Sequence, residues 1–382
     1  MTKLKKKSAQ FKVKYYINYM VIAVFLVTTM FLNSAGFTTR SFIGLLTRIA
    51  YSIIMAVSLN LVVGFLGELS LGHAGFMCVG AYIGCFAGNY LYKVIDSKLL
   101  VFIIAMLIGG TVAAVFGFII GLPALRLKGD YLAIVTLAFG EIVRNIFKNL
   151  SVFGGAMGLG TTKYKSDELY IISFIVVLIV LFFIQNLIRS KHGRAITAIR
   201  DNEIAAKAMG INVTFYKLLV FIISAFFAGI AGVIYGHFTT PVMYTFFSYN
   251  YSIEILVMVV LGGMGSINGS IIAATLITYV NFVLQSELSG DLAALKLLIY
   301  ALILIIMVLF NNAPAFQPIK DKLSIKNLFA KKFARPVKPE VIKDDTVAWP
   351  RVPTKVKMDE ILSVDMKNGK EFEADKPQKG EK

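Results

Sequence analysis

Apolar residues fall in long runs along this chain, separated by short clusters of Lys, Arg, Gly and Pro. The hydrocarbon core of a bilayer is ~30 Å thick, so a spanning helix needs about 20 mostly apolar residues. Ten stretches qualify as candidates: 15–32, 42–66, 69–92, 99–122, 131–150, 168–188, 218–237, 251–264, 267–287 and 293–310. The first, fourth, sixth, seventh and tenth are clear spans. Those at 42–66, 69–92, 251–264 and 267–287 are interrupted by glycine, and 131–150 carries Glu141, Arg144 and Lys148 in its second half. The pattern predicts an all-α, polytopic membrane helix bundle of about ten transmembrane segments, some of them glycine-broken.

Composition agrees. The 382 residues are 57% hydrophobic and only 16% charged, and the mean hydropathy is +0.73; about 25% charge is usual in soluble domains. The net charge of +17 sits largely in the tails: residues 1–14 hold six Lys and no acid, and 315–382 hold 16 Lys or Arg against 11 Asp or Glu. Next to such apolar runs this excess marks cytoplasmic flanks rather than a nucleic-acid surface. The bias of Lys and Arg in short loops places 1–14, 123–130, 189–217 and the C-terminal tail in the cytoplasm, with both termini inside. Residues 1–14 are thus a basic cytoplasmic N-terminus, 15–310 a transmembrane domain, and 311–382 a charged, largely disordered cytoplasmic tail punctuated by Pro318, Pro336, Pro339, Pro350, Pro353 and Pro377. The first apolar run is longer than a signal-peptide core and lacks a clean small-x-small site, so it is expected to be retained. Cys78 and Cys85 lie two helical turns apart, ~10 Å, too far for a disulfide. No Cys/His cluster has metal-ligand spacing.

The loop at 189–217, RSKHGRAITAIRDNEIAAKAMGINVTFYK, is too polar to enter lipid and too long for a turn. Asp201 or Asn202 suits a helix N-cap, Glu203 and Lys207 form a favourable i,i+4 pair, and Gly210 is placed to end the helix. The expected helix, Glu203–Met209, is too short to be stable alone. It offers Ile204, Ala205, Ala208 and Met209 to whatever packs on it, with Arg194 and Arg200 as flanking charges that could orient a partner. A helix lying on the membrane or on its own chain is the alternative.

Two glycine-broken regions, one in each half of the chain, are pointers to a transport pathway: Gly64, Gly67, Gly72, Gly75, Gly80 and Gly84, then Gly262, Gly263, Gly265 and Gly269. Unwound backbone in a membrane must face a cavity, a substrate or another helix; close helix packing through small residues is the competing explanation. His73, with Asn60 and Ser70 as hydrogen-bonding neighbours, lies in the first region. Glu141 and Arg144 share a helical face, either as a structural ion pair or as a lining for a zwitterionic substrate. Glu254 presents the same choice.

The string around Glu203, Ala205, Ala206 and Gly210 resembles the E-x-A-A-x-x-x-G coupling motif of ABC-importer permeases. GRAITAIRDNEIAAKAMGINVTFYKLLVFIISAFFAGIAG, SLNLVVGFLGELSLGHAGFMCVGAYIG (58–84), GLPALRLKGDYLAIVTLAFGEIVRNI (121–146) and VVLGGMGSINGSIIAA (259–274) resemble the permease subunits of branched-chain amino acid importers, most of all the LivM type. The likeness covers roughly 42–310; Ser270 stands where the family often has Pro, and the C-terminal tail has no counterpart. The resemblance implies a permease of the ABC-importer type in the cell membrane that moves leucine, isoleucine or valine by alternating access. It would work with a second permease of the same family, two cytoplasmic ATPases that dock the 189–217 loop, and an extracytoplasmic substrate-binding protein. The chain has no G-x-x-x-x-G-K-[ST] run, so ATP and Mg would be bound by the partner ATPases, with no cofactor or metal here. An importer for urea or short amides is the nearest rival. An ion-coupled secondary transporter would need intramembrane carboxylates, for which Glu141 and Glu254 are the candidates, and would leave the loop unexplained. A membrane enzyme would need a catalytic cluster, and no H-E-x-x-H, G-x-S-x-G or paired aspartates in the spans is present.

Overall fold

The computed structural model describes residues 19–287, apart from 21, 37, 128, 163 and 165, together with 301, 302 and 305. The 1–14 segment, most of the 293–310 run and the 311–382 tail lie outside the described residues, as do Lys163 and Lys165. Among the described residues the chain is helical, with one isolated bridge between Leu159 and Val242. A first apolar helix, α1, covers Ile22–Ser34. It is followed by α2 (Arg40–Asn60), a π-type turn over Leu61–Leu66, α3 (His73–Leu91), α4 (Lys98–Ala124), α5 (Asp130–Asn149), α6 (Ser166–Arg189), α7 (Lys191–Asp201), α8 (Glu203–Ala208), α9 (Val213–Phe238), α10 (Tyr249–Gly262) and α11 (Ile267–Glu287).

Six of these are long and apolar enough to cross a membrane: α2 with its π turn, α3, α4, α6, α9 and α11; α1 and α10 are shorter apolar helices. The charged α5 is a helix of 20 residues outside that set. The chain is a multi-pass membrane protein. Gly64 falls in the π turn inside the first of these spans, Gly67 and Gly72 bound the non-helical stretch that follows it, and α3 itself is continuous.

α2 lies at the centre, with α6, α9, α10 and α11 around it. The window that qualifies α2 and its π turn as a span is entirely buried. α3, α4 and α9 pack closely because glycines face each other: a methyl at Gly80 would strike the Gly229 backbone, and one at Gly109 would strike Gly80 and Val233. For Gly80 and Gly84, close helix packing is what the structure displays. The outer faces of α4 and α6 expose Leu107, Val115, Phe118, Ile119, Ile175, Ile179, Phe182 and Phe183, a surface suited to lipid.

Candidate functional site

The polar loop folds into two helices. Ser190 caps α7 by accepting from the His192 and Gly193 amides at 3.1 and 3.3 Å, and α7 is an element the sequence left as loop. Asn202, one of the two expected caps, accepts from the Ala205 amide at 3.0 Å and starts α8. Met209 and Gly210 end it, Gly210 with φ +80°. The orientation of α8 is set by which residues turn inward. Ala206 is buried, while Ile204 and Met209 are 80% and 82% exposed, with Ala205 and Ala208 exposed beside them. Two large apolar side chains therefore project from the end of the bundle on a six-residue helix.

Arg200, expected as a flanking charge that could orient a partner, is 38% exposed and also reaches into its own chain. Its Nη1 donates to the Gly64 carbonyl at 3.0 Å, and its Nε and Nη2 donate to Asp201 Oδ1 at 3.2 and 3.0 Å. Its side chain lies against Gly67, and its Nη1 is beside Gly265. One arginine of the loop thus touches both glycine-broken regions. Arg194 lies exposed on α7.

Those two regions meet. Asn60, fully buried at the end of α2, accepts from the Gly265 amide at 2.9 Å and donates to the Ser266 carbonyl at 3.1 Å and to Ser270 Oγ at 2.9 Å. Gly64 leaves the space in which the Asn60 carboxamide and the Gly265 nitrogen lie. Gly262 and Gly263 end α10, and Gly263 and Gly265 take positive φ in the turn to α11.

After the π turn, residues 67–72 are not helical. Glu68 stands at the loop end of the bundle, whereas His73 meets Ser58, eight residues back from Leu66 on α2 (Ser58 Oγ to Nε2 2.8 Å). Eight helical residues are ~12 Å, so this stretch climbs back into the bundle in irregular form. Such backbone is tolerated at membrane depth only where it is enclosed by protein or borders a cavity. Here Thr136 Oγ1 of α5 accepts from the Leu71 amide at 3.0 Å, and Ser252 of α10 accepts from the Ala74 amide at 3.1 Å. Gly72 and Gly75 press on Thr136 and Gly140. Ser70 is buried, and its hydroxyl has no hydrogen-bond partner among the described residues. His73 bonds to Ser58 rather than to the expected Ser70 or Asn60.

Glu141 and Arg144 form an ion pair at 2.6 Å. The other Glu141 oxygen accepts from the Tyr249 amide at 3.0 Å, so this carboxylate sits at the start of α10, where a negative charge is favoured. Lys148, one turn on, lies over the Tyr244 ring. Glu254 accepts from Asn281 Nδ2 of α11 at 3.1 Å.

A partly buried ion cluster was not anticipated from the sequence. Lys217, at the base of α9, places Nζ 2.5 Å from Glu68 Oε1 and 3.2 Å from Glu203 Oε2. The signal was available in Glu68, an acid in an otherwise apolar run, because such groups require a partner. Its partner could not be read locally. Among the described residues no group of three metal-ligating side chains is assembled.

The family model described as branched-chain amino acid transport system / permease component matches residues 41–308. The high-affinity branched-chain amino acid transport system permease protein LivM of Salmonella typhimurium is 33% identical over 329 residues, covering 77% of this chain and 74% of that protein. A protein of Methanocaldococcus jannaschii described as "probable branched-chain amino acid transport permease protein LivM" is 30% identical over 260 residues, 56% of this chain and 73% of that one. The LivH permease protein of Salmonella typhimurium is 24% identical over 308 residues, 75% of this chain and 98% of that one.

Proposed function

The chain belongs to the permease components of branched-chain amino acid transport systems, and we propose on that premise that it forms part of the path by which leucine, isoleucine or valine enters the cell. It is a transport subunit. A second permease of the same family, two cytoplasmic ATPases that bind ATP and Mg, and an extracytoplasmic binding protein complete the importer. The 189–217 loop and both termini face the cytoplasm. Similarity to both LivM and LivH proteins supports a pair of related permeases.

The observation that carries this reading is the geometry of α8. Ile204 and Met209 project outward as an apolar knob for a pocket on the ATPase. On the same loop Arg200 reaches the carbonyl of Gly64 and the side of Gly265. A push on α8 is thereby delivered to both glycine regions, the parts of the backbone least held by regular helix. Alternating access follows when these regions change their packing.

Co-purification with the candidate ATPase, and ATP-driven leucine uptake in proteoliposomes, test the reading with wild type and Gly210→Arg. At φ +80°, where a Cβ meets none of the described atoms within 4 Å, an arginine at 210 strains the end of α8 through its backbone conformation. Loss of ATPase association and of uptake is expected. Association and uptake unchanged by Gly210→Arg would rule out docking through α8. Uptake of urea or a short amide in preference to leucine would reassign the substrate.

A further inference from the structure

The ion cluster at the base of α9 joins three elements remote in sequence. Lys217 belongs to the opening turns of α9, Glu68 to the irregular segment before α3, and Glu203 to the first turn of α8. The Lys217 side chain is 5% exposed, Glu68 14% and Glu203 26%. A buried ammonium is retained only with close carboxylates, and here one cation serves two of them. The two contacts are unequal. Nζ is 2.5 Å from Glu68 and 3.2 Å from Glu203, and Glu203 also faces the exposed Lys207 ammonium at 3.9 Å. Beside them lies a cavity of about 390 Å³, lined by Arg126, Glu203, Lys207, Thr214 and Lys217 among others.

We infer that Lys217 is a positioning residue of the transport cycle, its ammonium tying the coupling helix, through Glu203, to the irregular segment 67–72, through Glu68. This rests on the reading of the chain as the permease of an ATP-driven importer. The Glu68–Lys217 pair is the tight end and moves with α9. The Lys217–Glu203 contact is the loose end, and it stretches or shortens as the docked partner displaces α8. The segment so connected carries Ser70 and leads directly to His73, so displacement of α8 is felt at the foot of α3. Arg200 acts in parallel on Gly64 and Gly265, which keeps the two linkages separable by mutation.

A cluster that only fastened the loop would lower stability and leave the remaining folded protein with normal coupling. The test is therefore the amount of substrate taken up per ATP hydrolysed, measured on the whole importer in proteoliposomes with the loaded binding protein present. Lys217→Met is expected to assemble with the ATPase and to hydrolyse ATP, with uptake per ATP lowered about tenfold, the scale of coupling changes along such networks. Recovery of the ratio by Lys217→Arg supports a role for the charge. A wild-type ratio in Lys217→Met, with or without a lower melting temperature, would overturn the inference. Where Lys217→Met does not accumulate, Glu68→Gln and Glu203→Gln carry the test, since both keep side-chain volume; a wild-type ratio in either overturns it. A wild-type importer that shows no ATP-dependent uptake would instead overturn the functional reading, and this inference with it.

Discussion

At Gly64 the missing side chain is a packing requirement. A methyl there would overlap the Asn60 carboxamide and the Gly265 nitrogen, and neither can retreat without breaking the hydrogen bond between them. Gly64→Ala is expected to destabilise the purified permease by about 1–3 kcal/mol, the usual cost of overpacking. Gly160→Ala, where a methyl meets nothing within 4 Å among the described residues, should stay within about 0.5 kcal/mol of wild type. Thermal unfolding of the two variants in the same detergent checks the contrast, and equal melting temperatures would refute the packing argument. Single residues also mark how far the sequence could be read. Asn202 and Gly210 were legible because a cap and a terminator act on their own neighbours. The contact of Arg200 was not legible because its acceptor, the Gly64 carbonyl, lies 136 residues away, and no local pattern announces such a contact.

At the scale of elements the long apolar runs specified themselves: α2, α3, α4, α6, α9 and α11 each fall on a stretch chosen for length and hydropathy alone. α7 escaped because its buried positions, Gly193, Ile196 and Ile199, are too few to stand out in a polar loop; its helicity comes from the Ser190 cap and from packing against α6 and α9. The start of α10 shows an element completed by another. Ser248 makes no side-chain cap there, and Glu141 of α5 takes the Tyr249 amide instead. This placement favours a structural role for the Glu141–Arg144 pair over a substrate contact. Glu141→Gln keeps an acceptor oxygen and loses the charge, so a loss of about 1 kcal/mol or less is expected for this partly exposed pair. Leucine uptake by the folded fraction should be unchanged. A clear rise in the KM for uptake at normal thermal stability would place Glu141 on the pathway after all.

Across the whole molecule the two halves are joined where each is least regular. The paired interruptions were visible in the sequence, and their pairing suggested a common purpose. That they touch was not visible, because the contact is made through one carboxamide from the end of α2 to the turn between α10 and α11. Asn60 is fully buried and satisfies the Gly265 amide, the Ser266 carbonyl and Ser270 Oγ at once. Asn60→Leu keeps the volume and removes all three bonds; the Ser266 carbonyl still accepts from the Ser270 amide, so the Gly265 amide is the backbone group that loses its Asn60 acceptor, at a cost of up to about 1–3 kcal/mol. Asn60→Asp keeps an acceptor for the Gly265 amide and gives up the two donated bonds. If this carboxamide joins the halves, amide hydrogen exchange at 263–266 should rise sharply in Asn60→Leu and less in Asn60→Asp. Exchange in α3 and α4, which pack on each other and on α9 away from this junction, should hardly change. The same comparison reads the coupling path. With the junction released, Arg200 still reaches Gly64 but no longer finds Gly265 fixed beside it, so ATP hydrolysis should continue while leucine uptake falls in the order wild type, Asn60→Asp, Asn60→Leu. Uptake that follows the melting temperature instead of this order would reduce Asn60 to a stabilising contact.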